Sequence, residues 1–114
     1  MYRVVTEVPD EWPSDIPRPE GLTVEAGSYA SADGETLMTL IGTPDNGDAV
    51  AYTEDYGTGL VAAGMTETGR FDSSADGNTT AQRSYENDQW MVSVSSYVDD
   101  ATNSISISLI SNNN

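Results

Sequence analysis

The chain has 114 residues, nineteen Asp and Glu against four Arg, no Lys, no His, no Cys, and a formal net charge of −15. Without Cys there are no disulfides or thiolate metal sites, and without His the usual base near neutral pH and the commonest metal ligand are missing. Without Lys, Schiff-base chemistry and a Walker-type phosphate site are excluded, while the surplus of carboxylates repels nucleic acid and anionic membranes.

Residues 1–20 are set apart by Pro9, Pro13, Pro17 and Pro19. Each proline fixes its own φ and turns its predecessor away from helix, so an extended arm is expected. Trp12 and Ile16 are the bulky apolar residues that would pin this arm to the body. No hydrophobic stretch follows Met1-Tyr2-Arg3, so no signal peptide is read there.

Leu22, Val24 and Ala26 alternate with polar positions and predict a strand to about Ala30. Ala32-Asp33-Gly34 is a turn signal, because Asp and Gly tolerate positive φ. A second strand follows over 35–42. Its run Leu37-Met38-Thr39-Leu40-Ile41 is apolar on both faces, as in a central strand. Thr43-Pro44-Asp45 reads as a helix start, with Thr43 as cap and Pro44 in the first turn. The helix is expected to reach Ala63 and stop at Gly64. Ala49, Tyr52, Tyr56, Leu60 and Ala63 make a stripe at helical spacing that can face a sheet. Gly57 and Gly59 weaken it, at about 1 kcal/mol each relative to Ala.

Four more strands are predicted, over 65–72, 79–86, 89–98 and 103–110, with turn residues between them. In the last hairpin, pairing of Val98 with Asn103 sets Val94 opposite Ile107 and Val92 opposite Leu109. Trp90, Val92, Val94, Ile105, Ile107 and Leu109 then line one face. Met91, Ser93, Ser95, Ser104, Ser106 and Ser108 line the other, as in a sheet covered on a single side. A two-residue turn at Asn87-Asp88 would put Ala81, Arg83 and Tyr85 on the apolar face. A core arginine conflicts with burial rules unless it is paired or reaches solvent. The fold expected is therefore α+β: an antiparallel sheet in the order β-β-α-β-β-β-β with one helix packed on one face. The extended arm occupies 1–20, the domain 21–110, and a frayed tail 111–114.

No catalytic, cofactor or metal site is predicted. The serines lack a base, no G-x-S-x-G occurs, and Gly57-Thr58-Gly59 lacks the context of a phosphate loop. Asp45-Asn46-Gly47-Asp48 and residues 72–78 carry oxygen ligands suited to calcium, but match no calcium-loop spacing and read better as turns. Asp99 and Asp100 are adjacent carboxylates on a turn, where solvation is the ordinary state. Tyr97 and Met91 on the polar sheet face, with Asp99 and Asp100 beside them, are the candidates for contact with a partner. The acidity itself has three readings: adaptation to salt, a docking face for a basic protein, or mimicry of nucleic acid. Its spread along the whole chain favours the first.

Residues 12–21, Trp-Pro-Ser-Asp-Ile-Pro-Arg-Pro-Glu-Gly, resemble an opening in bacterial envelope proteins, often lipoproteins of unknown function. There a W-P-x-D-x-P-x-P-x-G arm leads into the first strand. Ala62-Ala63-Gly64-Met65 is similar to the helix ending of such chains, with Met where Trp is usual. The resemblance implies an exported domain, tethered after a lipidated Cys that this chain lacks. It implies no functional residues. The function expected is a non-catalytic binding or scaffolding domain of the cell envelope or periplasm, with a basic protein or an envelope component as partner. It takes no nucleic acid and inserts no segment into a membrane. The alternative is an acidic inhibitor or immunity-type protein that caps a basic partner, in which case residence in the cytoplasm stays open.

Fifteen excess negative charges on so small a chain must repel one another when folded. The Debye length is about 30 Å at 0.01 M salt, beyond the roughly 13 Å radius of gyration of a domain near this size, and about 3 Å at 1 M. The melting temperature should therefore climb from 10 to 500 mM sodium chloride, most steeply below 200 mM. A flat response in thermal melts would show that the charge is already neutralised.

Overall fold

Two Asp-Gly pairs shape the sheet. Asp33 and Asp76 hold φ of 54° and 55°, and Gly34 and Gly77 follow at 81° and 82°. Positive φ at both central residues is the two-residue turn whose twist matches flanking strands. The computed structural model describes residues 1–111 and has the strands β1 (Tyr2–Val5), β2 (Leu22–Ala32) and β3 (Glu35–Pro44), then the helix α1 (Ala49–Ala62). The strands β4 (Thr66–Ala75), β5 (Asn78–Glu86), β6 (Trp90–Val98) and β7 (Asn103–Ser111) follow. All seven form one antiparallel sheet in the order β1-β2-β3-β7-β6-β5-β4. The chain leaves β3 near the middle, crosses one face as α1, re-enters at the far edge, and folds inward until β7 meets β3.

The predicted α+β class and single covering helix are present, and the β6–β7 register is the one expected, with Val98 opposite Asn103, Val94 opposite Ile107 and Val92 opposite Leu109. Several details differ. Residues 1–20 are not an extended arm. Tyr2–Val5 pairs with β2 as an edge strand. Beyond it the prolines make turns, closed by Trp12 N–H on Pro9 O at 3.1 Å and Ile16 N–H on Pro13 O at 3.2 Å. This strap packs onto the helix side of the sheet. Trp12 and Ile16 are buried in the core with Met38, Leu40, Leu60 and Ile107, as their bulk implied.

The helix does not begin at Thr43. Pro44 ends β3 opposite Leu22, past the last β7 pair at Gly42, so its missing N–H costs no ladder bond there. Asp48 is the cap, its side chain accepting the Ala51 N–H at 3.0 Å. The Ala49 N–H finds Asn103 Oδ1 at 2.9 Å. The helix stops as predicted, with Gly64 at φ 103°. Gly64 N–H bonds Val61 O and Met65 N–H bonds Leu60 O, both at 3.0 Å, the paired bonds that close a helix after a left-handed residue. Ala63, expected in the apolar stripe, is the exposed C-cap; Thr53 and Gly57 are buried instead. At the far end, Ser111 is not frayed but pairs with Trp90 in β7. The rest of the predicted tail, 112–114, lies outside the described residues.

The β5–β6 turn is shifted. Glu86 pairs with Met91 and Asn87 N–H bonds Trp90 O at 3.0 Å, so Asp88 and Gln89 make the turn. A shift of two positions keeps the faces, and Arg83 does sit on the apolar side, 3% exposed. Its burial is met by partners: Nε donates to Glu54 Oε1 at 2.9 Å and Nη1 to Asp72 Oδ1 at 2.7 Å. Desolvation pulls its pKa down, but the bonds to Asp72 and Glu54 outweigh it and the net shift is upward.

Gly57 lies against Tyr85, and a methyl group in its place would overlap the Tyr85 hydroxyl. Gly57→Ala should therefore lower the melting temperature, although alanine is intrinsically better in a helix by about 1 kcal/mol. Tyr85→Leu should reduce that loss. An increase in melting temperature from Gly57→Ala alone would mean the helix stands further off the sheet.

The strap hangs on two helix tyrosines. Tyr52 Oη donates to Glu20 O at 3.0 Å and Tyr56 Oη donates to Pro17 O at 2.6 Å. Burial pushes the Tyr52 pKa up to about 12 and raises that of Tyr56 as well. A raised folded pKa leaves stability intact below the ordinary tyrosine value of about 10 and removes it as pH climbs toward 12. Melting temperature should fall over that window. Tyr52→Phe with Tyr56→Phe should flatten the fall while costing about 1 kcal/mol per lost bond at neutral pH.

Candidate functional site

Strand alternation leaves the second face of the sheet without a covering element among the described residues. Cross-strand pairing builds it in rows. Tyr2 pairs with Ala30, Ala30 with Leu37, Leu37 with Ile110, and Ile110 with Met91. These five residues make an apolar row across β1, β2, β3, β7 and β6, its strands about 4.8 Å apart. The next row begins at Val4 on the sheet edge and is otherwise hydroxylic: Ser28, Thr39, Ser108, Ser93 and Ser84. Beyond it Ile41, Ser106, Ser95, Gln82 and Phe71 follow in line.

The apolar row is unusually open to solvent. Tyr2, Leu37, Met91 and Ile110 are 69%, 40%, 41% and 42% exposed. They line a hollow of about 570 Å³ at this end of the face, together with Glu35, Ser111 and Met1, whose ammonium donates to Ser31 O at 2.6 Å. Glu86 pairs with Met91 on its other side and continues the row. Isolated surface apolars are ordinary, but a contiguous patch rimmed by polar groups marks a place of contact.

The residues predicted from sequence fall at two ends of this face. Met91 is in the hollow. Tyr97 is six positions along the same strand, roughly 20 Å away at 3.3 Å per residue. It is 40% exposed and bonded to Asp99, which raises its pKa. Asp99 accepts the Ala101 N–H at 2.8 Å, and that backbone bond leads the causes lowering its own pKa. Asp100 is exposed on the same turn. Tyr97, Asp99 and Asp100 thus stand together as a turn, apart from Met91. Leu37, Ile110 and Tyr2 were missed. The signal was there: Leu37 and Ile110 are the apolar residues out of step with their buried neighbours Met38 and Leu109.

Charge is divided between the two faces. Arg3 lies over the Tyr29 ring at 4.7 Å and pairs with Glu11 of the strap. Arg18 donates to Val8 O at 3.2 Å within the strap. Arg70 and Arg83 both reach Glu54 of the helix. All four arginines therefore serve the helix-and-strap side. Among the described residues the open face carries Glu35 and Glu86 and no arginine.

The Asp-rich loops read as calcium alternatives spend their oxygens locally. Asp45 Oδ1 accepts from Thr23 Oγ1 at 2.6 Å, Asn46 Oδ1 accepts the Asp48 N–H at 2.9 Å, and Asp48 caps the helix. Among the described residues no group of three or more acidic side chains is placed to hold a metal ion. No helix among them is long and apolar enough to cross a membrane. No protein-family model, no curated protein and no solved structure matches this chain.

Proposed function

We propose that this chain is a non-catalytic binding or scaffolding domain that offers the open face of its sheet to a partner, and that it serves in a bacterial cell-envelope protein. The observation that carries the binding reading is the exposed apolar row Tyr2–Ala30–Leu37–Ile110–Met91 beside its hydroxyl-rich neighbour. Such a surface gains by leaving water, and the small serines beside it let a partner approach the sheet closely. The envelope reading is supported by the likeness of residues 12–21 and 62–65 to envelope proteins. The second reading, an acidic inhibitor or immunity-type protein, is favoured by the arginines, all of which are engaged away from the open face.

A photoreactive residue at Ser93, in the middle of the open face, should form a discrete adduct in the native host. The same group at Val61, exposed on the helix, should not. No adduct from Ser93, or equal adducts from both, would sink the binding reading. Fractionation of the same cells separates the two roles: the envelope fraction for the first, a cytosolic complex with a basic protein for the second.

A further inference from the structure

We propose that the hollow at the β1–β2–β3–β7–β6 end of the open face is the docking site for a cationic, amphipathic segment of a partner protein. This inference rests on the reading of the open face as a binding face and names the occupant. The segment sets apolar side chains among Tyr2, Leu37, Met91 and Ile110, and directs Lys or Arg toward Glu35 and Glu86.

Two independent observations meet at this place. The first is the hollow itself. Its volume of about 570 Å³ lies in the range typical of binding pockets, and its floor is apolar side chains from five strands. The second is the division of charge. The chain carries −15, and its four arginines are all engaged on the opposite side, bonded to Glu11, Glu54, Glu67 and Asp72 or to strap carbonyls. At the hollow itself the one cation among the described residues is the Met1 ammonium, which donates to Ser31 O at 2.6 Å; no arginine offsets Glu35 at the rim or Glu86 next to Met91, and the balance stays acidic. A positive partner is attracted and an acidic one repelled, and charge of this kind sets partner choice and association rate more than final affinity. The apolar floor supplies the affinity that charge does not.

The same facts weigh against other occupants. Nucleic acid and anionic lipid share the sign of the protein. A second copy pairing through this face would bring Glu35 and Glu86 toward their own copies with no arginine between them. An uncharged apolar ligand would leave the acidic rim unused.

The test uses fluorescence anisotropy with two labelled eight-residue peptides, one alternating Lys and Leu, the other alternating Lys and Ser, at 150 mM salt. The Lys/Leu peptide should bind at least about tenfold more tightly than the Lys/Ser peptide, because only it carries anchors for the hollow. Leu37→Ser with Ile110→Ser should erase that advantage. Glu35→Gln with Glu86→Gln should weaken Lys/Leu binding at least about threefold more than Asp10→Asn with Asp15→Asn, which removes the same charge from the strap. Far-UV circular dichroism of each variant checks that the sheet persists, and Ile110→Val with Leu37→Ile, which keeps the apolar floor, should retain binding. Equal binding of the two peptides, or equal loss from the strap pair, would reveal only a general polyanion effect and overturn the proposal. So would a concentration-dependent dimer, in sedimentation, that Leu37→Ser with Ile110→Ser abolishes. If the peptides fail while the Ser93 adduct forms in the host, the cationic occupant is wrong and the binding face stands. If both fail, both readings fall.

Discussion

The ladder between β3 and β7 is the connection on which the rest of the molecule depends. Every other strand pair joins neighbours in sequence through a turn or a short strap. β3 and β7 instead meet across the whole second half of the chain: Thr36 N–H bonds Ser111 Oγ at 2.9 Å across a separation of 75 residues. Closing so long a loop costs entropy that only many simultaneous contacts repay. They are supplied at this seam. Met38 pairs with Leu109 and Leu40 with Ile107, all fully buried under the helix and strap. The seam therefore welds two locally formed hairpin systems into one sheet and one core.

Once the sheet has seven strands, coverage becomes the problem. Strands about 4.8 Å apart give a width of about 29 Å, whereas a helix is about 10 Å across. α1 has 14 residues, about 21 Å at 1.5 Å each, and lies mainly over β5 and β6. The rest of that face is left for the strap, and this is why Trp12 and Ile16 are as deeply buried as sheet residues. The Tyr52 and Tyr56 hydroxyls tie strap to helix, so the two covering elements act as one lid. Among the described residues no comparable segment remains for the opposite face, which stays open with its small hydroxyls, its apolar row, and the exposed Val4, Ile41 and Phe71.

What was legible in the sequence is what is set locally. Asp-Gly turns require positive φ whatever surrounds them, and strict alternation in β6 and β7 dictates both faces and register. The misreadings share one origin, a partner from elsewhere in the chain. Thr43-Pro44-Asp45 satisfies helix-start chemistry, yet β2 extends pairing through Pro44, and Asp48 takes the cap. Four residues at Tyr2–Val5 carry too little pattern to announce a strand until β2 is beside them. Arg83 looked misplaced because Glu54 and Asp72, which satisfy it, lie in other elements. The binding face follows the same division. Tyr97 with Asp99 is one turn and was visible; Met91 was visible without its setting, since only the β3–β7 seam brings Leu37 and Ile110 to it.

The arginines close the argument, because their positions follow from where folding crowds acids together. Packing α1 onto the β4–β5 edge brings Glu54, Glu67 and Asp72 into one neighbourhood, and both Arg70 and Arg83 are spent there. Packing the strap onto β1 brings Glu11 to Arg3. With so few cations, placing Arg3, Arg70 and Arg83 at unavoidable junctions of carboxylates lowers the repulsion that would oppose closure of the lid. Most of these pairs are partly solvated, so each adds little by itself; the buried Arg83 differs, because leaving its charge without partners would be costly. The open face requires no such junction and so receives no arginine. Its acidity is then the remainder of a charge distribution set by packing on the other side, available to whatever the apolar row holds.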